Sequence, residues 1–282
     1  MILATKNKEG TVGTSFHGVK NNILSPDPES GEGEIIVSSR AVFMGYVKVS
    51  KKRHGILGTE NEILCLSNLR MNSYVISHPF QEEEKTKASF THDFWFKSGD
   101  LGTMDEDGFF KITGRIKELI ITEGGKNIAP IPIESRIKEN LSSIVSQAIV
   151  IGDKQKYLSC LITLKVDVDP KTSVPSDQLD PSAKEWCNHI LKENIGSDSL
   201  KLPNTISDFV DGEHASFLMK GIQEGIDKAN LQADFRAAEV KTFCILPNEF
   251  SIPGGEFGPT LKIKRHAITK KYQDEINNMY KK

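Results

Sequence analysis

Residues suited to chemistry are densest between Phe96 and Glu134, where FKSGDLG is followed by DEDGFFKITGRIKELIITEGGKNIAPIPIE. Asp100, close to Gly99 and Gly102, reads as a carboxylate on a loop after a strand, able to accept two hydrogen bonds from a vicinal diol such as a ribose. An Asp in such a setting is more often a plain turn residue. Arg115 offers a planar fork of donors to the same ribose or to a phosphate, or else it is a solvated surface charge. The pair Gly124-Gly125 permits positive φ and lets a ligand meet bare backbone, or it is simply a tight loop. Further on, SIPGGEFGPTLKIKRHAITKKY places Lys262 between a Gly/Pro-rich loop and a basic helix. A lysine delivered by a flexible loop neutralises charge developing on a transferring phosphoryl or acyl-phosphate oxygen. Between Pro259 and Lys282 there are seven basic residues and two acids, which reads as a solvated helix face or as weak attraction to anionic lipid.

The elements that must position these residues change in texture along the chain. Residues 31–46 and 94–115 alternate short β-prone runs with Gly, and Asp107-Gly108 reads as a hairpin turn. Beyond Arg115 longer strands and helices alternate. Ile133, Ile137 and Leu141 recur at helical spacing after Pro130 and Pro132, with Glu134 expected in the first turn, where the helix dipole favours an acid. Val145–Gly152 and Tyr157–Val166 read as a two-stranded unit packed on that helix, with Leu158, Cys160, Ile162, Leu164 and Val166 on one face. Ala183, Trp186, Cys187, Ile190 and Leu191 form a helical stripe, a further helix is expected over Ala215–Ala233, and VKTFCIL reads as a strand. Ile268, Tyr272, Ile276, Met279 and Tyr280 fit one face of a closing helix.

Composition excludes several classes. The 282 residues carry 36 Lys+Arg and 38 Asp+Glu, a net charge of -2, so there is no electrostatic case for nucleic acid. With 38% apolar and 26% charged residues the chain is ordinary for a globular protein and too apolar for a disordered one. Cys65, Cys160, Cys187 and Cys244 lie far apart without a CxxC pair, and no His has metal-ligand spacing, so the thiols read as reduced and a protein-held metal is not expected. No apolar run approaches the ~20 residues of a membrane span and the N-terminus lacks a signal-peptide core, which leads to the expectation of a cytoplasmic location or a peripheral one on the endoplasmic reticulum or another membrane.

Taken in order, SGDLG, DGFFKITGRIKELIITEGGKNIAPIPIE and GPTLKIKR resemble the second half of an acyl-CoA synthetase of the adenylate-forming superfamily. VSQAIVIGDKQKYLSCLITLKV and SIPGGEFGPTLKIKRHAITKKY resemble, more narrowly, the bubblegum group of long-chain fatty acyl-CoA synthetases. The resemblance implies an α+β fold, with residues 1–115 the β-rich end of a large AMP-binding domain and residues 116–282 a small mobile lid. It implies a ligase that joins a fatty acid and ATP, with Mg, into an acyl-adenylate and then passes the acyl group to coenzyme A. It also assigns roles: Asp100 to the ATP ribose, Arg115 beside it, Lys117 to the hinge of the small domain, Gly124 and Gly125 to the approach of the pantetheine, and Lys262 to catalysis of adenylation. A module that binds nucleotide or coenzyme A without turnover is the alternative.

Two departures from the family pattern stand out. The Ser/Thr/Gly-rich phosphate loop and the adenine-contacting aromatic motif are not found in this sequence, so these residues alone are expected not to adenylate appreciably. Residues 49–81 intervene where the family has a short connection. Val49-Ser50 and Phe80-Gln81 are encodable as GTAAGT and TTTCAG, and removing the segment rejoins Lys48 to Glu82 at the family spacing. We hypothesise a translated intron, against the competing reading of a lineage-specific surface loop. Sequencing of mature transcripts is expected to show the segment spliced out, and abundant message retaining it refutes the idea.

Overall fold

The computed structural model describes residues 2–3, 8, 10–15, 17–28, 30–39, 46–47, 64–65, 83–196, 201–233 and 235–281. The 49–81 segment lies outside them apart from Leu64–Cys65, whose backbone pairs with Tyr46–Val47. The architecture is α+β, in two units, Met1–Lys117 and Glu118–Lys282. A 3-10 turn, Ile116–Glu118, straddles the boundary.

The first unit is built on a four-stranded antiparallel sheet of β1 (Val19–Leu24), β2 (Gly33–Ser39), β3 (Phe96–Met104) and β4 (Phe110–Arg115), ordered β1-β2-β3-β4. The β3–β4 connection is set by Asp105, whose Oδ1 accepts from the backbone of Asp107 and Phe109. An Asp that mimics a backbone turn in this way explains why the chain reverses here.

The second unit opens with a small hairpin of β5 (Ile120–Ile121) and β6 (Asn127–Ile128), followed by α1 (Pro130–Asn140). Next come β7 (Val145–Ile151) and β8 (Leu158–Leu164), a hairpin of β9 (Val166–Val168) with β10 (Pro175–Leu179), and α2 (Pro181–Ile195). The chain continues through α3 (Ile206–Asp211), α4 (Ala215–Asn230), β11 (Val240–Ile245), α5 (Arg265–Lys271) and α6 (Gln273–Tyr280). Pro181 starts α2 behind an Asp180 cap on the Ala183 N–H, and α3 begins with a Thr205/Asp208 capping box.

The expected two-stranded unit is a three-stranded sheet. β8 lies between β7, antiparallel, and β11, parallel. Every residue of β8 is buried, because both faces are covered rather than one. Leu158, Cys160, Ile162 and Leu164 meet Ile133, Ile137, Leu191, Leu218 and Ile222 of the helices on one side. Leu161 and Ile149 meet Leu246, Phe250, Ile268, Tyr272 and Ile276 on the other. Cys160 and Cys187 are buried free thiols, and burial pushes Cys187 up to about 12. The single closing helix expected from periodicity is two, α5 and α6, broken at Tyr272, whose φ of -107° and ψ of 33° leave helical geometry. The β9–β10 hairpin and α3 occupy a stretch whose Pro, Ser and Asp content hides any period. No helix among the described residues is long and apolar enough to cross a membrane.

Close approach of α4 to α1 depends on Gly225. A Cβ there would stand 2.3 Å from Leu141 Cδ2 and 2.5 Å from its Cγ. Gly225→Val gains helix propensity but overpacks this contact, so the second unit is expected to lose about 1–3 kcal/mol. A lowered urea midpoint checks this, and a raised midpoint would show that Leu141 yields without cost.

Candidate functional site

Asp100 lies within β3, not on a loop after it, and stands directly opposite Arg115 of β4. Gly99, at φ +76°, bulges the strand, and its N–H donates to Glu34 Oε1 at 2.9 Å. Such a bulge re-aims the following side chain. Arg115 Nε donates to Asp100 Oδ1 at 3.0 Å, with the two side chains 53% and 31% exposed. A cross-strand ion pair this open contributes at most about 1 kcal/mol. It leaves a carboxylate and a guanidinium side by side and accessible, which is the donor and acceptor set that a ribose or phosphate requires.

Lys117 is exposed and is the last residue of the first unit. Gly124 and Gly125 form the exposed tip of the β5–β6 hairpin. Gly125 takes φ +73°, its N–H donates to Thr122 O at 2.9 Å, and Thr122 N–H donates to Lys126 O at 3.1 Å. A Cβ at either glycine would meet nothing within 4 Å, so bare backbone faces open space. The tip is tied at its base, where Glu123 N–H donates to Gln155 O at 2.9 Å and Lys154 N–H to Ile121 O at 2.7 Å.

Lys262 follows a tight turn whose shape is set locally. Leu261 sits at φ +57°, Leu261 N–H donates to Gly258 O at 2.9 Å, Gly258 N–H donates to Lys262 O at 2.8 Å, and Phe257 bridges Ile263. The side chain of Lys262 is exposed. The flexible loop expected here is instead braced at both feet by buried charge. Glu256, 2% exposed, receives Lys271 Nζ, the Tyr272 hydroxyl at 3.3 Å and Ser251 N–H at 3.2 Å. Gly254 allows that carboxylate in, since a Cβ there would lie 2.2 Å from Glu256 Oε2. On the far side Arg265 Nη1 donates to Glu134 Oε1 at 2.7 Å, Nη2 pairs with Oε2, and Nε reaches Glu118 at 3.4 Å. Burial disfavours the Arg265 charge, but the hydrogen bonds and charge of Glu134, with Glu118, outweigh it and raise the pKa above its ordinary value.

Glu134 therefore does not serve the helix dipole as expected. It lies beyond the first turn of α1 and is buried, and its Oε1 also accepts from Val150 N–H at 2.8 Å. The signal was present in the sequence: Pro130, Ile133, Glu134 and Ile137 occupy the i, i+3, i+4 and i+7 stripe that faces a core, so an acid there requires a buried partner. The basic excess after Pro259 is likewise partly internal, because Arg265 and Lys271 are both spent on buried carboxylates. The structure brings Asp100 and Arg115 together in the first unit, and it places Gly124-Gly125 and Lys262 on separate loops of the second.

Residues 117–192 match the family described as AMP-binding enzyme C-terminal domain. The chain is 39% identical over 268 residues, 95% of its length, to long-chain-fatty-acid–CoA ligase ACSBG2 of Xenopus laevis, of which it covers 30%. To ACSBG1 of Rattus norvegicus, also named a long-chain-fatty-acid–CoA ligase, it is 36% identical over 263 residues, 93% of the chain and 30% of that protein. The chain thus spans about 30% of the length of these curated relatives. Among solved structures, the adenylation domain of the carboxylate reductase of Mycobacterium chelonae superposes with a TM-score of 0.56 at 14% identity, covering 93% of this chain and 31% of that one. ATP-bound MatB of Rhodopseudomonas palustris gives 0.51 at 20% identity, over 94% and 36%. At these identities the likeness is one of fold. The family match begins at Lys117, the residue at which the first unit ends.

The brace at Glu256 has a pH signature. Burial pushes this carboxyl up, but the hydrogen bond from Lys271, the backbone donors and the Lys271 charge pull it further down, so its folded pKa lies below the ordinary 4.5. A depressed carboxyl stabilises the fold above its unfolded pKa and loses that contribution as pH falls through the folded value. The melting-temperature deficit of Glu256→Gln against wild type is expected to be largest near neutrality and to close below about pH 4. A deficit constant down to about pH 3 would place the effect in packing.

Proposed function

We propose that this chain works within a long-chain fatty acid–CoA ligase. In that reaction a fatty acid and ATP give an acyl-adenylate and pyrophosphate, and the thiol of coenzyme A then displaces AMP. The observation that carries the reading is the exposed ammonium of Lys262 on a turn fixed at both feet. Preorganised positive charge lowers a barrier when it meets negative charge that builds only in the transition state, here on the non-bridging oxygens of the α-phosphorus and on the oxygen that leaves with pyrophosphate. Holding the cation on a braced turn removes the entropic cost of ordering it at that moment.

The other residues fit the same chemistry. Asp100 accepts from the ribose hydroxyls while Arg115, already on its Oδ1, keeps the carboxylate oriented and adds donors. The Gly124-Gly125 tip offers backbone that a slender pantetheine arm approaches without a side chain in the way. Lys117, at the junction of the units, is the residue about which the small domain turns between half-reactions. Among the described residues no group of three or more His, Cys, Asp or Glu side chains is placed to hold a metal ion, so no step is assigned to Mg through this chain. Names of the curated relatives support the acid-thiol ligase class.

The test joins this chain to the part of the Xenopus relative that it does not span. With ATP, Mg and palmitate, Lys262→Ala is expected to slow pyrophosphate release about a hundredfold to a thousandfold. Thioester formation from supplied palmitoyl-adenylate is expected to change less than about threefold. Equal loss of both half-reactions overturns the role of Lys262. Nucleotide binding without turnover in the parent protein would favour a noncatalytic binding module.

A further inference from the structure

The Lys262 turn has two feet, and they are held differently. At the entry, Glu256 fastens the turn to α5 through Lys271, and the Glu256 carbonyl accepts from Lys264 N–H at 2.8 Å, an attachment within the same local segment. At the exit, Arg265, three residues after Lys262, reaches out of the segment to Glu134, 131 positions away in sequence, and to Glu118. One guanidinium spans two acids from different elements: Glu134, on the buried stripe of α1 and bonded to the β7 backbone, and Glu118, the residue that follows Lys117. α5 has no side-chain N-cap, so the start of the helix after the turn takes its placement from this pair.

We propose that Arg265 is a positioning residue for Lys262: its fork on Glu134 and its reach to Glu118 lock the Lys262 turn to the segment that follows Lys117, so that turn and segment move as one body. The proposal rests on the reading of Lys262 as the adenylating lysine, and it extends that reading to the residue that fixes where the ammonium stands. A planar fork suits the task because it sets orientation as well as distance, which a point charge does not. Burying the pair costs desolvation that its attraction only roughly offsets, so what it contributes is geometry more than net stability.

The test uses the purified 282-residue chain and amide hydrogen exchange over peptides spanning residues 257–264, with melting temperature as the global control. Arg265→Met alone would strand a buried carboxylate and unfold too much to interpret. The informative variant is Arg265→Met with Glu134→Gln, which removes both charges and keeps an acceptor for Val150. Its melting temperature is expected to stay within about 5 °C of wild type, since replacing both members of a buried pair is near neutral. Exchange in 257–264 is expected to rise about tenfold or more while β7 and β8 stay protected. Arg265→Lys is expected to restore part of that protection. Wild-type exchange in the turn of the double variant overturns the proposal, as does an increase spread evenly over the second unit with a lowered melting temperature. Neither readout depends on turnover, so its failure is distinguishable from failure of the adenylation reading.

Discussion

A carboxylate taken out of water must be met by charge or by hydrogen bonds, and the second unit is organised around one such meeting. Glu134, with its side chain 9% exposed, receives both outer nitrogens of Arg265 and the Val150 N–H. Two consecutive elements, α1 and the sheet strand β7, and the distant start of α5 are thereby fixed to a single pair of oxygens. Apolar contact is tolerant of small slides, whereas a bidentate pair with a third donor is not. The Lys262 turn inherits its position from that intolerance, because it leads directly into Arg265.

Sheet topology explains why the turn lies where Arg265 can act. With β8 central and buried on both faces, one layer of helices leaves half of the sheet uncovered. The second face is closed by α5, α6 and the 246–257 segment, through Leu246, Phe250, Ile268, Tyr272 and Ile276. Tyr280 completes the closure, accepting from the Ser159 hydroxyl at 2.8 Å and donating to the Ile151 carbonyl at 3.1 Å. Docking the end of the chain for hydrophobic reasons thus carries the Gly/Pro-rich loop with it, and the buried ions at Glu256 and Glu134 convert that loop into a defined turn.

The first unit solves its positioning problem by register. An antiparallel pairing puts residue 100 opposite residue 115, and the Gly99 bulge decides how Asp100 presents itself. The resulting ion pair is open to solvent and adds little stability.

Much was legible from local pattern. Periods of 3.6 and 2 located α1, α2, α4 and the strands of the main sheet, because apolar spacing reflects a core face whatever lies across from it. Asp100, Arg115, Gly124-Gly125 and Lys262 stood out through residue type and neighbouring glycines, since backbone freedom and charge are properties of the chain itself. Tertiary structure alone decided that β8 has two covered faces, that Asp100 belongs to a strand, that the closing helix breaks at Tyr272, and that ion pairs hold both ends of the Lys262 loop. The last of these turns on Glu134 and Arg265, 131 residues apart, and no local window reveals which buried acid a distant cation will neutralise. That choice is made by packing, when the desolvation of one charge can be relieved only by the other.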